Sequence, residues 1–191
     1  MKNLYIIAGP NGAGKTTASY TILPEIFHCK EFVNADEIAR GLSPFNEEAA
    51  AFQAGRIMLN RINELLELGE SFAFETTLAS RSFVGFIKKA KDQGYKTTLL
   101  FLALDNSEMA IDRVKTRVKE GGHHIPKDVI VRRFENGLKN FFNLYKDVVD
   151  EWLFVRNAGK QIEFIATGIN SEEMITKLEL WDQLKNKYYE Q

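Results

Sequence analysis

The chain has 191 residues, 45% of them apolar and 27% charged, which suits one soluble α/β-sized domain with a full core. Its 25 lysines and arginines nearly balance 26 aspartates and glutamates, and a net charge of −1 argues against a nucleic-acid surface or an anionic-membrane partner. A single cysteine, Cys29, excludes an internal disulfide, and no apolar run approaches the ~18 residues of a membrane span. With no leader pattern at the start, a cytoplasmic location is the default expectation.

In chain order, Leu4-Tyr5-Ile6-Ile7-Ala8 is a nearly continuous apolar run, as a central parallel strand should be. Gly9-Pro10-Asn11-Gly12-Ala13-Gly14-Lys15-Thr16 follows and fits the phosphate-loop (Walker A) pattern G-x-x-x-x-G-K-[ST]. Backbone N–H groups from Asn11, Gly12, Ala13, Gly14, Lys15, Thr16 and Thr17 would close around phosphate oxygens of ATP. Lys15 would add a point charge, and Thr16 would offer its hydroxyl to Mg²⁺. A helix over 16–23 is expected, stopped by Pro24.

Residues 31–34 read as a second strand and 35–40 as a short helix ended by Gly41. Asn34 and Glu37 have capping-box spacing, which leaves Asp36 free at the carboxyl end of a strand, where ligands bind in open α/β sheets. The plainer role for Asp36 is a first-turn acid favoured by the helix dipole. Asn46 starts a long helix with Met58, Ile62, Leu65 and Leu66 on its apolar side, ended by Gly69. Residues 71–74 form a third strand, with Glu75-Thr76-Thr77 at its carboxyl end. A helix from 81 to 93 precedes Gly94, and 97–104 is the most buried-looking strand.

Asp105-Asn106-Ser107 caps the next helix, on which Arg113 and Arg117 lie four apart. Like charges at that spacing cost a few tenths of a kcal/mol, tolerable if an anion sits between them; a solvated basic face is equally allowed. Gly121-Gly122 permits a hinge, and Pro126 starts a helix whose stripe runs from Ile130 to Val148. Paired His123-His124 lack a cysteine or acid at ligand spacing, which argues against a metal site there. Residues 152–156 and 161–165 form a hairpin through 157–160, and a last helix is expected from 171 to about 188. Strands alternating with helices imply a three-layer αβα, mainly parallel, doubly wound sheet with a C-terminal hairpin, in one domain spanning 1–191.

A phosphate loop serves motors, switches and kinases alike, so other groups decide. Asp105, after its apolar strand, and Glu75 both qualify as the acid that helps hold Mg²⁺. A phosphotransferase also needs an acid for the acceptor hydroxyl, cations for the moving phosphoryl and a flap against water. Asp36, the arginines 113, 117, 132 and 133, and the Gly121-Gly122 loop supply these in a small kinase's order, with a lid region over about 113–133.

The phosphate loop, Asn34-Ala35-Asp36, Phe74-Glu75-Thr76-Thr77 and the block Arg113-Val114-x-x-Arg117-Val118-x-x-Gly121-Gly122-His123-x-Ile125-Pro126, closed by Arg132-Arg133-Phe134, resemble the zeta-toxin family of phosphate-loop kinases. Asn157 and Gly159 are similar to that family's adenine-side loop. The resemblance implies a kinase that uses ATP and Mg²⁺ to phosphorylate the sugar 3′-hydroxyl of UDP-N-acetylglucosamine, under the restraint of a partner antitoxin. It implies Asp36 as general base; Lys15 and Thr16 on phosphates and Mg²⁺; Glu75 with Thr76 on the substrate and metal side; and Arg117, Arg113 and Arg133 as lid arginines. The match leaves open which of Arg132 and Arg133 points inward. Alternatives are a kinase of another acceptor, such as an antibiotic, and an ATP-binding switch or partner-binding module.

Overall fold

The computed structural model describes residues 1–159, 162–170 and 172–190. Its strands are β1 (Lys2–Ala8), β2 (Glu31–Val33), β3 (Phe72–Thr76), β4 (Tyr95–Ala103), β5 (Glu151–Asn157), β6 (Ile162–Ile169) and β7 (Glu172–Ile175). Its helices are α1 (Lys15–Glu25), α2 (Ala35–Leu42), α3 (Glu47–Leu68), α4 (Phe83–Asp92), α5 (Ser107–Lys119), α6 (Lys127–Asn140), the three-residue α7 (Lys146–Val148) and α8 (Leu178–Tyr188). The strands form one sheet in the order β2-β3-β1-β4-β5-β6-β7. The first five are parallel; β6 runs antiparallel to β5, and β7 antiparallel to β6.

Leu4 through Ala8 are all buried, although successive side chains point to opposite faces, so β1 is covered on both sides. β4 is the same over Thr97 to Ala103. One apolar core joins these strands to Leu23, Ile62, Ile87, Val114, Phe134 and Trp181 from the flanking helices. At its C-terminal side, Trp152 and Trp181 stack with ring centres 5.3 Å apart, and Phe141 packs edge-on against both. The expected α/β architecture is present, hairpin included.

The differences lie at element ends. Pro24 sits inside the last turn of α1 instead of stopping it, because the turn tolerates one missing N–H near its end. Gly41 lies within α2, and the C-cap is Ser43. β3 runs on to Thr76, so Glu75 and Thr76 are strand residues. The helix expected from Pro126, with its stripe to Val148, changes register at a π turn, Phe141–Tyr145, between α6 and α7. The helix expected from 171 begins only at Leu178; 172–175 instead pairs with β6. Local helix propensity there yields to ladder bonds that cover the edge of β6. Ser171, Lys160 and Gln161 lie outside the described residues.

Candidate functional site

The site grows from the turn after β1. At Gly9 the backbone runs with φ +140°, and a Cβ there would stand 2.2 Å from the Leu102 carbonyl of β4. Only glycine lets the loop cross the sheet that closely. Gly14 caps α1 with φ 82°, and a Cβ would meet Asn157 Nδ2 at 2.9 Å. No side chain caps α1 and its first turn holds no acid, so its positive end is left for an outside anion. Lys15 is buried; its Nζ donates to the Pro10 carbonyl at 3.0 Å and lies 3.6 Å from Glu75 Oε1.

Strand register brings the acids to this loop. Ile7 faces Glu75 and Ala8 faces Thr76 across the β1–β3 ladder, while Val33 pairs with Phe74. Glu75 therefore lands beside the loop, and Asn34 to Asp36 beside Glu75. The Thr16 hydroxyl donates to Glu75 Oε2 at 2.8 Å, and Asn34 Nδ2 donates to the same oxygen at 2.8 Å. Asn34 Oδ1 accepts from the backbone N–H of Asp36 and Glu37, which caps α2. One asparagine thus ties the Asp36 turn to Glu75. Asp105, the other acid considered for a metal, instead accepts from Arg156 Nε and Nη2. The Arg156 guanidinium holds the Asp105 carboxyl below its usual range, against an opposing push from burial.

Asn11, Lys15, Asp36, Glu75, Thr76 and Arg133 line one cleft of about 190 Å³. Arg133 reaches Asn11 Oδ1 at 3.4 Å, while Arg132 is exposed and faces the neighbouring cavity with His124 and Val129. Arg117 opens onto an adjoining cavity of about 200 Å³ with Asp36, its Nη2 3.9 Å from Asp36 Oδ2. Two of the expected site residues stand behind the loop. Arg113 donates to the carbonyls of Gly12 (3.3 Å) and Asn157 (2.9 Å), and Asn157 Nδ2 donates to the carbonyl of Ala13 at 2.9 Å. Ala13 is buried and Thr17 is exposed on the first turn of α1.

Thr16 Oγ1 and Glu75 Oε2 make an adjacent pair of hard oxygen donors next to a lysine. That donor set fits Mg²⁺, which takes one or two protein ligands and completes its shell with phosphate and water. Among the described residues, no group of three or more His, Cys, Asp or Glu is placed to hold a metal. Sequence reasoning missed that Glu47, in the first turn of α3, faces His123; no local signal links residues so far apart in the chain.

Comparison with known proteins places the chain in a family. The family model described as Zeta toxin matches residues 1–169. The chain belongs to the zeta toxin family. An uncharacterized protein of Haemophilus influenzae is 29% identical over 126 residues, 66% of this chain and 88% of that protein. Among solved structures, a chain of the AvrRxo1-ORF1:AvrRxo1-ORF2 complex with sulphate ions superposes with a TM-score of 0.75 at 17% identity, covering 96% of this chain. This zeta toxin family member spans only 63% of the length of that chain. The same complex with ATP gives a TM-score of 0.73. A structure from the PezAT chromosomal toxin–antitoxin system of Streptococcus pneumoniae gives 0.69 at 16% identity, over 100% of this chain and 80% of that one. At these identities the likeness shows the fold alone.

Proposed function

We propose that this chain is an ATP-dependent phosphotransferase that moves the γ-phosphoryl group of ATP to a hydroxyl of a small molecule, a nucleotide sugar such as UDP-N-acetylglucosamine. The observation that supports it most is the convergence of Lys15, Glu75, Asp36 and Arg133 on one cleft beside the uncapped end of α1. A switch needs the loop and its metal acid alone; a further acid in the same cleft, held only loosely by Arg117 at 3.9 Å, fits an acceptor hydroxyl.

In this reading Lys15 and the loop amides bind the β- and γ-phosphates, and Thr16 with Glu75 holds Mg²⁺. When bound, that ion neutralises phosphate charge. Asp36 accepts the acceptor's proton as its oxygen attacks. Arg133 and Arg117 balance charge on the moving phosphoryl group, and the 120–126 loop excludes water. Arg113 and Asn157 hold the loop in shape, with Asn157 on the adenine side; Thr76 borders the acceptor. A partner antitoxin and a cytoplasmic location belong to the same proposal. Among the described residues no helix is long and apolar enough to cross a membrane.

The test is transfer of label from ATP to UDP-N-acetylglucosamine with Mg²⁺. Wild type is expected to transfer. Asp36→Asn is expected to lose at least about a hundredfold in rate while still binding ATP, and Lys15→Ala is expected to lose ATP binding. ATP turnover that ignores every acceptor and survives Asp36→Asn would establish the switch reading instead.

A further inference from the structure

His123 Nδ1 stands between two groups with opposite demands. Glu47 Oε2, on the first turn of α3, is 2.9 Å away; Arg117 Nη2, near the end of α5, is 3.4 Å away. A carboxylate oxygen only accepts, and a guanidinium nitrogen only donates. One ring nitrogen carries either a hydrogen or a lone pair, so it serves one of these neighbours at a time.

Each neighbour has a reason to compete. The Glu47 side chain is only 9% exposed, and the His123 ring stands against it at 2.9 Å. A carboxylate that buried needs a donor. Among the described residues Arg117 is short of partners: its Nε is buried without one, and 3.9 Å to Asp36 is too long for a hydrogen bond. The glycine loop lies flat on its stem. Gly122 N–H donates to the Arg117 carbonyl at 2.9 Å, and a Cβ on Gly122 would come within 2.8 Å of Arg117 Cγ. The guanidinium is therefore the part of Arg117 left to turn.

We propose that His123 is a positioning residue that steers Arg117. With a hydrogen on Nδ1, His123 binds Glu47 and gives up Arg117, which turns to Asp36 and to anionic charge in the cleft. With a lone pair on Nδ1, it holds Arg117 back. The hydrogen moves between Nε2 and Nδ1 through solvent, or a second proton is taken up from it. The surroundings are mixed in sign and leave the choice to these partners. Asp36, Glu37 and Arg40 face the cavity from α2, and Glu120 from the C-cap of α5. On the other side stand Glu48, His124, Arg132 and Arg133. The switch rests on hydrogen-bond chemistry; only its consequence for turnover rests on the phosphotransferase reading.

Two measurements test it. ¹⁵N-histidine labelling of the ligand-free protein, with His123→Asn to assign the signal, reads which ring nitrogen carries hydrogen. Glu47→Gln is expected to move Nδ1 from the N–H value toward the lone-pair value; identical His123 signals in wild type and Glu47→Gln overturn the proposal. For turnover of ATP with Mg²⁺ and UDP-N-acetylglucosamine, Glu47→Gln is expected to lower kcat about tenfold with the KM for ATP nearly unchanged. Removing the captor as well, in Glu47→Gln/His123→Ala, is expected to restore kcat. A double variant no faster than Glu47→Gln overturns the positioning role, because lost structure would not be repaired by a second deletion. A wild type without turnover removes the phosphotransferase reading, and the spectra still decide the switch.

Discussion

Asn157 shows how much one side chain at a strand end can carry. Its Nδ2 holds the Ala13 carbonyl, its own carbonyl holds Arg113, and its amide fills the space that a Cβ on Gly14 would take. The phosphate loop is thereby braced from behind by β5. Asn157→Ala removes one hydrogen bond worth about 1 kcal/mol. The expected result is ATP binding weakened about fivefold by calorimetry, with the thermal midpoint little changed. An unchanged Kd would show that the loop keeps its shape without the brace. Asn34 is bonded at both of its ends, to the backbone of α2 and to Glu75, so it was legible in sequence only as a cap. The capping pattern uses its oxygen; nothing local says where its nitrogen points.

At the scale of elements, α6 and the segment after β3 hold each other. Asn140 Nδ2 donates to the Leu78 carbonyl at 2.7 Å, and the Tyr145 hydroxyl donates to that of Ser80 at 2.6 Å. Burial pushes the Tyr145 hydroxyl up to about 12. Leu78 sits at φ 55°, a conformation that a leucine keeps only when its neighbours impose it. Gly137 allows the approach: a Cβ there would come 2.6 Å from the Thr77 carbonyl. In an exposed helix Gly→Ala stabilises by up to about 1 kcal/mol. Gly137→Ala is expected to do the opposite and cost about 1–3 kcal/mol in urea unfolding. A stabilised variant would show that α6 stands off from this segment. The Asn136-Gly137 pair reads locally as a turn, yet the apolar stripe through it carries the correct assignment, because buried faces outweigh propensity. The π turn left no such trace; it shifts register within the helix to place Phe141 and Tyr145 in the core.

For the whole molecule, the Asp105–Arg156 pair ties the end of β4 to β5 across the side of the sheet that carries the phosphate loop. Arg156 also meets Glu163 on β6 at 3.2 Å. Because Arg156 keeps the Asp105 carboxyl below its ordinary 3.8 in the folded state, the stability it adds is present above that value and is lost as pH falls through the lower folded one. Asp105→Asn is expected to cost about 1 kcal/mol at neutral pH, both groups being partly exposed. Urea titrations from pH 7 downward should show the gap to wild type closing below pH 3.8. A gap independent of pH would mean that the carboxylate charge contributes nothing.

The sequence by itself determined what local chemistry can write down. The glycine-rich loop after an apolar strand, the caps at Asn34, Asn46 and Asn106, the αL glycines at 69 and 94, and the strand–helix alternation each act within a few residues. Those signals carried the α/β architecture, the phosphate loop and the acids near it. Only the tertiary structure decided which acid meets Thr16, which arginine enters the cleft, and that 172–175 is a strand. It also decided that Arg113 and Asn157 stand behind the phosphate loop and that Glu47 faces His123. Each of these depends on strand register or helix packing between distant segments. A shift of one residue in register turns a side chain to the other face without changing any local pattern.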